Sequence, residues 1–258
     1  MTRVSVVMPS LNSADYIGRA IESVLAQPCD SLELVIQDGG STDRTTDVVA
    51  AFEDKRVSLV SEPDNGQSEA LNRAIARSHG DWILWLNADD ELAPSGLASL
   101  ASVADGSDVV YGDFAIVDED GQVVKEYATP VFSFDRFLRH GAYIFSGAML
   151  VRRDVFGRFG PFDERLSYCM DMEFLCRIGR DVQARYSPGV VAYLRYHSES
   201  KSITRPWSFW RERWVVARRY DANVLAVAAR QVQAAAYLLT RPLWRSGLWL
   251  RVRPRKTL

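Results

Sequence analysis

The 258-residue sequence is poor in histidine and cysteine, with three of each. Cys29, Cys169 and Cys176 stand in no paired metal-ligand spacing, and the step between the last two fits neither a zinc knuckle nor a redox pair. A disulfide or zinc scaffold is therefore excluded, and free thiols suit a reducing cytoplasm. The phosphate-cradling glycine motifs are missing as well. No Gly-x-Gly-x-x-Gly follows the first strand and no Gly-x-x-x-x-Gly-Lys-Ser/Thr occurs, which disfavours a dinucleotide fold and a P-loop. A Gly-x-Ser-x-Gly elbow is absent, which removes the obvious hydrolase. The longest apolar stretch, Val224 to Leu239, is interrupted by Arg230, Gln231 and Gln233 and makes a poor membrane span. The first strand begins at Val4, leaving no room for a signal peptide. Internal repeats and low-complexity tracts are lacking, and the composition (47% hydrophobic, 25% charged) is that of a globular chain.

What is present is an alternation. Val4–Met8, Leu32–Gln37, Val57–Val60 and Trp82–Leu86 read as short strands, the last buried on both faces. Between them Ile17, Ala20, Ile21, Val24 and Leu25, then Val48, Val49 and Phe52, then Ala70, Leu71, Ala74 and Ile75 recur at helical spacing. Ser13 is the expected cap of the first helix and Asp43 of the second. Such a pattern predicts an α/β fold with a parallel sheet and right-handed crossovers. Each strand ends in polar or Gly/Pro residues, so the ligand-binding rim is the carboxyl edge. At that edge Trp82–Leu86 gives way to Asn87-Ala88-Asp89-Asp90-Glu91. Oxygen clusters of this type suit hard cations such as Mg²⁺ or Mn²⁺, and an acidic turn before a helix is the plain alternative.

The second half differs. Val109–Val117 and Gln122–Tyr127 flank the tight turn Asp118-Glu119-Asp120-Gly121 and predict a hairpin. Ile144–Val151 is a further apolar segment, Asp171–Arg180 a short helix and Val190–Tyr196 a last strand, so antiparallel additions to the sheet are expected.

Charge divides the chain in two. Residues 205–258 carry 12 Lys and Arg against two acids, a net of +10, and five of the seven tryptophans. Against a whole-chain charge of −2, residues 1–204 then carry −12. The expected organisation is a catalytic domain at 1–204 and a basic, Trp-rich helical extension at 205–258. Arg and Trp interleaved with Leu fit a helix lying on an anionic bilayer; a helical pair packed on the body or forming a homodimer is the alternative. No nucleic-acid recognition module is visible.

Four motifs carry a resemblance that covers residues 3 to 200. VSVVMPSLN (Val4–Asn12), LVIQDGGSTD (Leu34–Asp43), SEPDNGQSEALN (Ser61–Asn72) and GDWILWLNADD (Gly80–Asp90) resemble, in order and spacing, those of glycosyltransferase family 2. The resemblance implies a glycosyltransferase-A fold, a Rossmann-like and mostly parallel sheet. It also implies inverting transfer of a sugar from a nucleotide-sugar, such as a UDP-, GDP- or dTDP-sugar, to a saccharide or polyprenyl-linked acceptor.

By the same resemblance Pro9, Ser10 and Asn12 wrap the nucleoside, and Asp38 accepts a hydrogen bond from the base. Asp64, Gly66 and Asn72 border the nucleotide-sugar, with Gly66 expected at positive φ. Asn87, Ala88 and Asp89 stand where the family has Asp-x-Asp, so Asp89 would ligate Mn²⁺ or Mg²⁺. Asn at the first position removes one negative charge, while Asp90 and Glu91 read as support or as solvated acids. Asp171, in a Tyr-Cys-Met-Asp-Met-Glu segment where Met170 replaces the family's Glu, is the expected general base, with Glu173 as runner-up. Its plain alternative is an acid at a helix N-terminus. His197 is either a further metal ligand or structural. Ser146-Gly147-Ala148 and Arg152-Arg153 fall on the acceptor side, where surface solvation of the arginines is the alternative.

The reading that results is a metal-dependent glycosyltransferase of polysaccharide or glycolipid biosynthesis, peripheral on the cytoplasmic face of the cell membrane. A non-catalytic nucleotide-sugar-binding or scaffold protein is the rival of another class. A sugar-nucleotide pyrophosphorylase would need a Gly-rich, basic first loop, which Pro9-Ser10-Leu11-Asn12 is not.

Overall fold

The computed structural model describes residues 3–29, 31–140, 144–197 and 204–220. Strands β1 (Val4–Ser10), β2 (Leu32–Asp38), β3 (Val57–Ser61) and β4 (Trp82–Trp85) alternate with helices α1 (Ile17–Leu25), α2 (Thr45–Ala50) and α3 (Gln67–Arg77). All four strands pair in parallel, with β1 between β2 and β4 and β3 outside β2.

The period-two geometry of these strands divides the core between the faces of the sheet. Val4, Val6 and Met8 of β1 and Trp82 and Leu84 of β4 join Ile17, Ile21 and Val24 of α1. Val7, Ile83 and Trp85 join Leu71, Ala74 and Ile75 of α3 on the other face. Burial on both faces is why β1 and β4 read as compact apolar runs, each large side chain contributing about 1.5–3 kcal/mol, whereas β3 at the sheet edge has no buried residue.

Beyond β4 come β5 (Glu91–Leu92), α4 (Gly96–Ser102), β6 (Val109–Val117), β7 (Val123–Tyr127), α5 (Phe134–His140) and a 3-10 turn at Ser146–Ala148. They are followed by β8 (Met149–Arg152), α6 (Arg153–Phe159), α7 (Met170–Ile178), β9 (Ala184–Arg195) and α8 (Pro206–Arg219). The sheet order is β3-β2-β1-β4-β8-β6-β9-β5, with β7 on β6. The β6–β7 hairpin forms where predicted, its turn closed at Gly121 with φ +90°. β8 is antiparallel to β4 and β6, as is β5 to β9, but β9 runs parallel to β6. β9 also starts six residues before the predicted Val190. Pro188-Gly189 looks like a strand end, yet the register steps from Gly112↔Ser187 to Asp113↔Val190 and absorbs both residues in a bulge.

Two cap expectations are corrected. The Ser13 hydroxyl turns to Leu11 O, while its carbonyl accepts from Tyr16 and Ile17, so α1 starts without a side-chain cap. Asp43 does accept the Thr45 amide (2.9 Å), but from one residue before the N-cap Arg44, and its other oxygen holds Ala14 N.

Helix α8, the first part of the basic extension, packs against the body. Val216 and Ala217 are buried in the cluster that includes Phe137 of α5 and Phe174 of α7. The helix expected from Val224 to Leu239 lies outside the described residues.

Candidate active site

The carboxyl ends of β1 and β4, the start of α3 and the segment after β9 enclose a cavity of about 490 Å³. Of the residues expected to hold the donor or the metal, Pro9, Ser10, Asn12, Asp64, Gly66, Asn87, Ala88, Asp89 and His197 line it, and Asp90 lines it with them. Tyr16, Gln67 and Tyr196, which the sequence did not single out, also line it. A wider depression of about 800 Å³ lies at the opposite edge, between Asp81, Arg152 and Asp154. There Arg153 is committed to Gly80 O (2.5 Å), Ile75 O (3.1 Å) and Ser78 Oγ (2.7 Å). The expectation that Arg152-Arg153 face an acceptor beside the cavity is thus corrected. β8 runs antiparallel to β4, and Arg152 pairs with Trp82 at the amino edge. Ser146-Gly147-Ala148 is buried rather than in the cavity wall.

Asn87 organises the end of β4. Its Oδ1 accepts from Trp85 Nε1 (2.8 Å) and Gln67 Nε2 (2.7 Å), and its Nδ2 donates to Asp90 Oδ2 (2.8 Å). Asp90 is fully buried, not solvated, and its other oxygen accepts the Arg195 amide (3.0 Å). Burial, then the neighbouring Asp89 charge, pushes its carboxyl well above the usual range against these donors. Arg195, also buried, binds Asp89 O, Asp118 O, Glu119 O and the Glu91 carboxylate. No sequence motif marks it.

Asp89 and His197, expected as metal ligands, meet in this wall. His197 Nε2 lies 2.9 Å from Asp89 Oδ2, although 108 residues separate them. Tyr16 packs against the imidazole at a tilt of 36°, ring centroids 4.6 Å apart. The imidazole is thereby held on two sides while the Asp89 side chain stays 33% exposed.

Two loops set the other walls. Asn12, at φ +49°, receives the Thr42 amide on Oδ1 (2.9 Å) and gives its own amide to Ser41 Oγ (2.7 Å). Asp38 does not reach the cavity: Oδ2 accepts from the Gly40 and Ser41 amides and the Ser61 hydroxyl, and Oδ1 from the Ser41 hydroxyl. In this geometry it forms the Asx-type turn of its own loop, in place of the expected contact with a base. Gly66 takes φ +134°, as expected, and Asp64 Oδ1 accepts its amide (2.9 Å). Asn72 is corrected as a border of the cavity. Its amide clamps Phe162 N and O and Glu164, because it sits almost two turns along α3 from Gly66.

Asp171 lies in the first turn of α7 and accepts the Met172 amide (2.7 Å). It is half-buried, and burial pushes its carboxyl up to about 6 against that amide and the Arg213 charge. Glu173, the runner-up, is 2% exposed and tied to Arg177, Arg219 and Tyr220, so it holds α8 to α7. Asp171 is not among the residues that line the cavity; the segment leading into α7 touches the cavity wall only through the start of α3. A Cβ on Gly66 would lie 3.9 Å from Ser167 Oγ, and Ser68 Oγ donates to Leu166 O (2.5 Å).

A curled α/β sheet whose carboxyl edge carries acids and a histidine, without a glycine cradle, defines the glycosyltransferase-A class of fold. Solved structures of that class superpose on nearly the whole chain. TarS of S. aureus, in complex with UDP-GlcNAc, matches with a TM-score of 0.66 at 21% identity over 97% of this chain and 76% of that one. The mannosyltransferase PcManGT from Pyrobaculum calidifontis, in complex with GDP-Man and Mn²⁺, matches with a TM-score of 0.66 at 23% identity, covering 96% and 80%. The family model described as glycosyl transferase family 2 matches residues 5–160, and this chain belongs to that family: it is a glycosyltransferase. A PGL/p-HBAD biosynthesis glycosyltransferase of Mycobacterium bovis is 32% identical over 73% of this chain and 75% of its own length. The succinoglycan biosynthesis protein ExoO of Rhizobium meliloti is 33% identical over 69% of this chain and 53% of its own length.

Proposed function

We propose that this glycosyltransferase moves a sugar, with inversion, from a nucleotide-sugar to a saccharide or polyprenyl-linked acceptor, with a divalent cation at Asp89. The observation that carries the reading is the Asp89–His197 pair, 2.9 Å apart in the cavity wall. Among the described residues no cluster of three or more His, Cys, Asp or Glu forms. One carboxylate and one imidazole still fit Mg²⁺ or Mn²⁺, which keep waters and substrate phosphates as their remaining ligands. The hydrogen bond between the two groups is one that a cation can replace. When bound, the cation offsets the charge that builds on the departing nucleoside diphosphate.

The chain's own residues supply the rest. The Pro9–Asn12 loop wraps the nucleoside, stiffened by Asp38 through Ser41 and by Asn12 through Thr42. Asp64 and Gly66 border the phosphates and sugar. Asp171 takes the proton from the acceptor hydroxyl; a carboxyl near 6 is ionised at neutral pH yet more basic than an exposed aspartate. The UDP-GlcNAc and GDP-Man named with the two superposing structures support a nucleotide-sugar donor, and the Mn²⁺ named with the second supports the cation. The biosynthetic names of the two relatives support a glycolipid or polysaccharide product.

No described helix is long and apolar enough to cross a membrane. We place the enzyme against the cytoplasmic membrane surface through the outer face of α8 and the basic residues after it. Trp207 is 77% exposed and Val215 45% on that face, and Arg211 and Arg218 share it.

The donor test is thermal stabilisation by UDP-GlcNAc, UDP-glucose, GDP-mannose and dTDP-glucose, with and without Mn²⁺. At a hundred times its Kd a donor adds about 2.7 kcal/mol. At least one donor is expected to stabilise the wild type only with Mn²⁺, and Asp89→Ala to lose that dependence. Stabilisation by none of them, or an Asp89→Ala that responds like wild type, overturns the reading.

A further inference from the structure

Helix α7 carries the proposed base in its first turn but has no side-chain cap of its own; its N-cap is Cys169. The turn that leads into it is held from α8. Glu212, 8% exposed, accepts the Ser167 amide on both oxygens (2.9 and 3.0 Å) and the Tyr168 (2.7 Å) and Cys169 (3.1 Å) amides on Oε2. Here a carboxylate from 43 residues further along the chain is withdrawn from water and held by three amides. On its other side the same segment is held by the start of α3, through Ser68 Oγ to Leu166 O. The entry to α7 is thus clamped between the start of α3 and α8.

We infer that Glu212 is a positioning residue for transfer, fixing the first turn of α7 so that Asp171 is presented to the acceptor from a constant place. The inference rests on Asp171 being the base. It makes α8, which lies beyond the family-matched residues 5–160, part of the machinery that orients the chemistry. Arg213, next along α8, bears on Asp171 electrostatically. Cys169 and Cys176 also adjoin Asp171 but are neutral, their thiols pushed up by burial.

The test uses the full chain and the donor that wild type turns over fastest in the panel above, with release of nucleoside diphosphate as the readout. The variants are Glu212→Gln, Glu212→Ala and Asp171→Asn. Glu212→Gln keeps shape and one acceptor oxygen, so it decides the matter if Glu212→Ala fails to fold. Folded Glu212 variants are expected to lose about tenfold or more in kcat, with donor KM within about twofold of wild type. Loosening the turn admits water to Asp171. Its titration, followed by carboxyl ¹³C NMR and assigned with Asp171→Asn, should then move below about 6, and the acid limb of kcat with it. A merely structural role would lower stability and leave both in place. Wild-type kcat together with an unmoved Asp171 titration in folded Glu212→Gln overturns the inference. Undiminished turnover in Asp171→Asn overturns instead the assignment of the base.

Discussion

At the scale of single residues, Asn87 shows how a small departure from a family pattern is accommodated. Its oxygen takes two donors and its nitrogen serves the buried Asp90. An aspartate at 87 would keep the first two bonds but set a second carboxylate against Asp90 and remove its donor. Asn87→Asp is therefore expected to cost about 1–3 kcal/mol at neutral pH, seen as a lower Tm in calorimetry. An unchanged Tm would mean that Asp90 does not depend on this donor. Asp171 gives a second expectation at the same scale. Burial raises its carboxyl to about 6, and in the proposed role of base it must be ionised. Activity should therefore fall as pH drops through about 6, well above the ordinary aspartate range. A pH–kcat profile flat to pH 4.5 would contradict it.

Between elements, the contact of α7 with α8 assigns different work to two acids of the same helix. Asp171 carries the raised carboxyl, while Glu173 is neutralised by Arg177 and Arg219 and receives the Tyr220 hydroxyl at 2.6 Å. Breaking a buried, paired charge usually costs several kcal/mol. Glu173→Gln should lower Tm and loosen α8 yet retain an acid limb of kcat near 6. Loss of that limb with an unchanged Tm would make Glu173 the base. The corrected strand β9 belongs to this scale too. Pro188-Gly189 locally signals a break, but pairing along β6 on either side carries the strand through as a bulge.

For the whole molecule, the proposed membrane placement predicts an oriented encounter of the basic extension with an anionic surface. Binding of the full chain to phosphatidylglycerol vesicles is expected to weaken as salt rises and to drop further in Trp207→Glu. Equal binding to neutral vesicles would sink the membrane placement. The sequence by itself determined the first four strands, the helices between them, the hairpin and the polar strand ends, because apolar period and turn chemistry act over a few residues. It also pointed to nine of the residues that line the cavity. Which of them meet was decided by tertiary structure alone. β5 continues from β4 and pairs with the end of β9, and that curl brings His197 onto Asp89, Arg195 onto Asp90 and Tyr16 onto the imidazole. Packing elsewhere decides the rest: Asp38 binds its own turn and Ser61, Asn72 binds the 162–164 segment, and Glu212 of α8 reaches the entry of α7. Local pattern records which residues are polar at a strand end. Where a polar side chain finds its partner depends on segments far away in the chain, and only the packed sheet brings those together.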